Sequence, residues 1–279
     1  MSRPDRQPAI VDAHLHLDLY EPAEREAVLR DASAGGVGGI VAVSMDLASA
    51  EAVRALALRH PALVMPAYGY HPEQPLPEPQ QEEALIAWIR ARYRAGERFA
   101  IGEVGLPYYT RTERAGTDEP LDEAPYVRLL DRFAALAAEL DRPLALHAVY
   151  EDADKACELL KRHGVRRAHF HWFKGPEHTI RRMIAAGYRI SVTPDVAYEP
   201  DIRALVQRYP LELMMTETDG PWRFEGPYSG RPTRPSMVRD VAAHIAALKG
   251  LEPAETARRL AANARTFYRM DVPAGDRTT

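Results

Sequence analysis

Two kinds of apolar pattern alternate along this chain. Short, near-continuous apolar runs fall at about residues 9–16, 38–45, 63–70, 98–106, 143–149, 166–173, 189–194 and 211–218. Runs of this length with little polar alternation read as strands buried on both faces. Between them lie stretches such as EREAVLRDASAGG, EEALIAWIRARYRAGE, YVRLLDRFAALAAELDRP and EHTIRRMIAAGY. Their apolar residues recur at three- and four-residue spacing and several end in Gly or Pro, which is helical patterning with its usual stop signals. Strands alternating with helices predict a parallel sheet covered on its outer faces. Eight such units predict one closed α/β barrel, a (β/α)8 barrel of the TIM type, over residues 1–272.

SMVRDVAAHIAALKG then reads as the last barrel helix and ETARRLAANARTFYRM as an extra C-terminal helix. No Gly-rich phosphate loop follows the first strand, which argues against a dinucleotide-binding fold. The stretches 71–81 and 110–125 read as loops on the active face, and 273–279 as a disordered tail. No linker is long or biased enough to divide the chain.

Composition narrows the class. A hydrophobic fraction of 46% with 27% charged residues is that of a soluble globular protein. The net charge of -4 argues against a globally basic nucleic-acid coat, although a small basic groove stays open. The single cysteine, Cys157, excludes an internal disulfide framework and an all-cysteine zinc site. Its setting in DADKACELLKRHG reads as a helix carrying a buried, inert thiol. With no apolar stretch of signal-peptide or membrane-spanning length, a cytoplasmic enzyme or binding protein is expected, without a membrane or obligate protein partner.

The candidate chemistry begins at IVDAHLHLD, residues 10–18. In a strand, alternate residues share a face, so Asp12, His14 and His16 project together. Alone, this is either a metal pincer or the polar face of an edge strand. The site of such a barrel lies at the C-terminal ends of its strands, and unusual residues gather there. Glu103 lies near the end of the IGEVGL strand, His147 lies in LALHAV, His171 in HFHWF, and Asp219 follows TET. All six side chains are standard ligands for a divalent metal. A carboxylate such as Glu103 inside an apolar strand costs several kcal/mol unless it is paired or coordinated. Taken singly, His147 fits a hydrogen-bonded core role and Asp219 a turn cap. Meeting at one rim, the six read as a metal site. His169 and Asp12, deeper in their strands, read as supporting residues, and Asp18 as a loop or capping residue.

These pieces resemble the TatD family of metal-dependent hydrolases, within the amidohydrolase superfamily. The similarity runs from DAHLH through YGYHP, IGEVGLPYY, LALH, HWFKG and ETDGP to LAANARTFY. The resemblance implies one or two divalent ions, the first held by His14, His16, Glu103 and Asp219. It implies a second held by Glu103, His147 and His171, with the glutamate bridging and His71 lining the pocket. The chain departs from the family pattern at Pro107, Val149 and Thr233, where aspartate, arginine and asparagine are usual. It also carries Trp172 and Lys174 at the expected pocket mouth. These departures bear on substrate more than on metal.

The expected reaction is hydrolysis by a metal-activated water, with Asp219 accepting its proton and Lys174 or Arg223 neutralising a substrate oxygen. Zinc suits four histidines and two carboxylates, while magnesium or manganese also suit a nuclease. The first expected substrate is a phosphodiester such as single-stranded DNA, making the protein a deoxyribonuclease. Tyr68, Tyr70, Tyr108, Tyr109, Trp172 and Trp222 are candidates to stack on a ring. Arg111, Arg114, Arg223, Arg231 and Arg234 are candidates to meet phosphates. The alternatives are a small ester, lactone or amide, which the acidic surface and Val149 favour, and a non-catalytic metal-binding scaffold, which ranks last because no ligand is missing.

Overall fold

The structure, a computed structural model, describes residues 9–271; the expected tail at 273–279 lies outside the described residues. Eight parallel strands pair in sequence order. They are β1 (Ile10–Leu15), β2 (Val37–Val43), β3 (Val64–Tyr68), β4 (Ala100–Gly105), β5 (Leu144–His147), β6 (Ala168–Phe170), β7 (Arg189–Val192) and β8 (Met214–Thr216). The seam between the last strand and the first is drawn together just beyond β8. There Asp219 N donates to His14 O at 2.9 Å and His16 N donates to Gly220 O at 2.8 Å. The expected TIM-type barrel is present.

Helices cover the outside: α1 (Pro22–Ala34), α2 (Leu47–Arg59), α3 (Pro79–Arg94), α4 (Tyr108–Arg114), α5 (Ala124–Glu139), α6 (Glu151–His163), α7 (Glu177–Ala186), α8 (Pro200–Arg208) and α9 (Val238–Lys249). Strand residues are buried on both faces because these helices lie over one side and the barrel interior over the other. Trp88 of α3, for example, packs its ring 4.9 Å from that of Tyr68 at the end of β3.

The extra helix α10 (Pro253–Phe267) closes the barrel from the end where the strands begin. Ala261, Ala264, Phe267 and Tyr268 pack into one buried cluster with the small inward-facing residues Val11, Ala13, Val41 and Ala67. Asn263 donates to the carbonyls of Leu211 and Met214 at the start of β8, both at 2.8 Å, and Arg265 donates to Gly38 O in β2. Burying a side chain such as Phe267 stabilises by about 1.5–3 kcal/mol. This plug leaves the opposite rim as the open end.

Two local readings change. The stretch expected as a loop at 110–125 contains most of α4, and α5 begins inside it at Ala124. The reason is a distant cap: the Glu73 carboxylate accepts from Tyr109 N and Thr110 N, both at 2.8 Å, and from Thr110 Oγ1 at 2.6 Å. These amides of the first helical turn have no partner within the helix, and a partner thirty-odd residues away leaves no local sequence signal. The stretch at 71–81 likewise yields to α3 at Pro79, where Glu78 and Gln81 form a capping box.

Cys157 is buried in α6, and burial pushes its thiol up to about 12. At pH 8 only about one thiol in ten thousand would then be ionised. A thiol-specific reagent is expected to leave the native protein unlabelled over the time in which it labels the guanidinium-unfolded chain completely. Rapid labelling of the native protein would contradict the inert role.

Candidate metal centre

The six expected ligands converge at the open rim. His14 lies within β1, Glu103 within β4, and His147 is the last residue of β5. His16 and His171, expected inside their strands, each follow them by one residue, and Asp219, expected just past the eighth run, follows β8 by three. Asp219 adopts φ 48°, a left-handed conformation that aspartate tolerates better than most residues.

Glu103 is completely buried and its two oxygens divide the imidazoles between them. Oε2 lies 3.0 Å from His14 Nε2 and 3.2 Å from His16 Nε2. Oε1 lies 3.0 Å from His147 Nδ1 and 2.8 Å from His171 Nε2. Asp219 Oδ1 faces the first group, 3.5 Å from Nε2 of both His14 and His16. It is buried yet accepts no hydrogen bond. A carboxylate oxygen without a donor, aimed at the same point as two imidazole nitrogens, is what a divalent cation satisfies. The donor set therefore fits metal. Within three overlapping sets, namely His14–His16–Glu103, His71–Glu103–His147 and His14–His171–Asp219, the candidate ligand atoms lie within 4.8 Å of one another.

The electrostatics agree with that geometry. Burial alone would raise the Glu103 carboxyl, but His171, His71 and His14 around it hold it well below the usual carboxylate range. Burial would lower the His16, His147 and His171 imidazoles, but Glu103 raises all three. Burial raises Asp219, with the neighbouring imidazoles opposing. Without cations this is a proton-loving cluster around one carboxylate, so metal and protons compete for it.

The tautomers follow from the outer hydrogen bonds. His147 Nε2 lies 3.2 Å from Glu73 Oε1, so Nε2 carries the proton and Nδ1 is free as a ligand. His71 is held the other way: its Nδ1 accepts from Glu73 N at 3.2 Å. Its Nε2 then carries a proton toward Glu103 Oε1, 3.5 Å away, and desolvation lowers this imidazole to about 3. In this arrangement His71 is a neutral donor at the pocket wall.

Sequence reasoning missed two carboxylates. Burial would raise Glu73, but hydrogen bonds from His147 and Thr110 hold it at about 2. Glu217 Oε1 lies 3.7 Å from His171 Nδ1 and accepts from Trp172 N at 2.7 Å. Its other oxygen accepts from Ser191 Oγ, which in turn meets His169 Nε2 at 2.5 Å, and His169 Nδ1 meets the Tyr268 hydroxyl at 2.5 Å. His169 is therefore a supporting residue, as expected, joined to the plug at α10. The available signal was ETD, a second acid two positions before Asp219. Asp12 does not touch a ligand imidazole. It accepts from Thr218 N at 3.0 Å and Thr218 Oγ1 at 2.5 Å, which fixes the backbone beside Asp219, and burial pushes it up to about 8. Asp18 accepts from Ser49 Oγ at 2.6 Å, a loop role. Replacing Glu217 with alanine is expected to weaken metal binding by about 10–100-fold, read by chelator competition. Unchanged competition would show that His171 needs no such support.

Above the cluster opens a cavity of about 1020 Å³. His71, Trp172, Lys174, Trp222 and Arg223 all line it together with His16, His147, His171 and Asp219. Trp172, at φ 39°, is clamped by its indole N–H to Asp195 Oδ2 at 2.6 Å. Of the other stacking candidates only Tyr109 lines this cavity. Tyr68 is buried against Trp88 and Phe99, Tyr70 donates to Pro75 O, and Tyr108 packs on Tyr150. Arg223 is likewise the sole lining member of the arginine set. Arg111 pairs with Glu151 and Asp152, Arg234 with Glu24, and Arg231 lies over Tyr228. Periodicity cannot separate a ring at a strand's end from one that faces the mouth.

An eight-stranded barrel with histidines and carboxylates gathered at its C-terminal rim defines a metal-dependent hydrolase. The family described as TatD related DNase matches residues 11–269, and the chain belongs to it. It is 35% identical over 261 residues to an uncharacterized metal-dependent hydrolase of Haemophilus influenzae, covering 94% of this chain and 100% of that one. It is 29% identical to human Deoxyribonuclease TATDN3, over 93% of this chain and 94% of the relative. The crystal structure of the TatD homologue YjjV from Escherichia coli superposes with a TM-score of 0.81 at 28% identity, covering 95% of this chain and 98% of that one. No helix among the described residues is long and apolar enough to cross a membrane.

Proposed function

We propose that this protein hydrolyses phosphodiester bonds with two divalent ions held by His14, His16, Glu103, His147, His171 and Asp219. The observation that carries this reading is the division of Glu103, with two imidazoles at each oxygen. Two compartments sharing one carboxylate suit an in-line displacement, in which both the attacking and the leaving oxygen need stabilisation. When bound, the ions would lower the pKa of a water and neutralise charge on the reacting group. Glu103 and Glu73 orient the imidazoles. Asp219, whose Oδ1 faces His14 and His16, accepts the proton of the attacking water through its other oxygen. His71 presents an N–H toward the same space, and Lys174 with Arg223 offers positive charge to a substrate oxygen. Four imidazoles favour zinc, with manganese or magnesium as the other candidates.

A relative named as a deoxyribonuclease supports the phosphodiester over other esters. The apolar Val149 and the acidic side chains along the cavity favour a second reading, a small ester, lactone or amide cleaved by the same centre. Protein stripped by chelator and reloaded with each ion separates them. Metal-dependent cleavage of thymidine 5′-monophosphate p-nitrophenyl ester or single-stranded DNA is expected. Turnover of lactones or amides alone would overturn the phosphodiester reading.

A further inference from the structure

The cavity above the ligand cluster is large, about 1020 Å³, against roughly 300–1,000 Å³ for small-molecule pockets. Its charge is unevenly distributed. At its floor, two divalent ions, if held there by the ligand cluster, would outweigh the charges of Glu103 and Asp219 and supply positive charge for one phosphodiester anion. Farther out the balance reverses. Glu73 lines the wall, and Glu113, Glu199 and Glu225 line the cavity at exposed positions, against only Lys174 and Arg223. Glu113, Glu199 and Glu225 line the mouth at solvent-exposed positions, where their charge acts on an approaching anion subject to screening by salt. The Lys174 ammonium sits 4.8 Å over the Trp172 ring.

A strand of nucleic acid carries a charge on every nucleotide, and proteins that hold one track it with a cationic groove. Of the arginines that could have built such a groove, Arg111 and Arg234 are paired with acids, and Arg114 and Arg231 do not line the cavity. What this mouth does offer is aromatic surface. Trp222 is 58% exposed and Tyr109 41% exposed, while Trp172 stands edge-on to Trp222 with ring centres 5.6 Å apart. Large aromatic faces left open at a cavity mouth are suited to stacking on a flat group of a ligand.

Resting on the phosphodiester reading, we propose that this cavity selects a compact substrate. It places one anionic phosphodiester at the ligand cluster and one ring against Trp172, Trp222 and Tyr109. It disfavours a chain of further phosphates passing Glu113, Glu199 and Glu225.

The test compares metal-loaded protein on thymidine 5′-monophosphate p-nitrophenyl ester and on an oligothymidylate of a dozen nucleotides. At low salt the small ester is expected to have the higher kcat/KM by about tenfold or more. The gap should narrow as salt rises, because screening weakens repulsion. A protein that grips DNA through cations shows the opposite slope. Glu199→Lys and Glu225→Lys are each expected to raise the oligonucleotide's kcat/KM relative to the ester's by about threefold. An oligonucleotide preferred over the ester and weakened by salt, or a ratio indifferent to both charge reversals, would overturn the proposal. If neither compound is cleaved, the phosphodiester reading fails by itself. Binding of thymidine 5′-monophosphate and the same oligonucleotide to the metal-loaded protein, read by competition, then decides the question. Tighter binding of the mononucleotide upholds compact selection, and tighter binding of the oligonucleotide overturns it.

Discussion

Glu103→Ala is expected to leave the protein without hydrolytic activity and unable to retain divalent metal through gel filtration. The effect should exceed that of removing any single histidine, because Glu103 alone serves both groups of imidazoles, His14 and His16 through one oxygen and His147 and His171 through the other. The substitution also acts on the metal-free protein. Glu103 is the fully buried counter-charge of those imidazoles, and breaking a buried ion pair by removing one partner costs about 3–5 kcal/mol. A lower melting temperature of the metal-free variant is therefore expected alongside the loss of metal. Glu103→Gln, which keeps the shape and one oxygen, should recover part of that stability and little activity. Full metal content in the alanine variant would remove the bridge from this account.

Asp219→Asn separates the two duties assigned to Asp219. The amide keeps an oxygen that can face His14 and His16 but cannot take a proton from water. With metal saturating, kcat is expected to fall by about 10²–10⁴-fold, the usual contribution of a positioned general base. KM should change much less. Full activity with metal bound would show that another group accepts the proton.

Much of the site was legible because strand periodicity and barrel topology are local rules with a global consequence. Six unremarkable residues, from His14 to Asp219, acquire a shared meaning once each is assigned to the same end of a strand. The parts that escaped depend on contacts with no local trace. Glu73 falls in the stretch 71–81 read as a loop, yet it caps α4 and orients His147. Glu217 looked like a strand residue, yet it joins His171 and the Trp172 amide to a buried chain that ends at Tyr268 of the barrel plug. Tyr68 and Arg111 show the converse. Both residue types suit a nucleic-acid surface, and both are taken up by neighbours, one in the core and one in ion pairs. Chain order says which residues share a rim but not which of them already have partners.

The centre itself is tested most directly by counting ions. Elemental analysis of protein saturated with zinc or manganese and freed of excess ion should find two per chain in the wild type and fewer than one in Glu103→Ala. A wild type that binds none, or a Glu103→Ala protein that keeps both, would contradict the account.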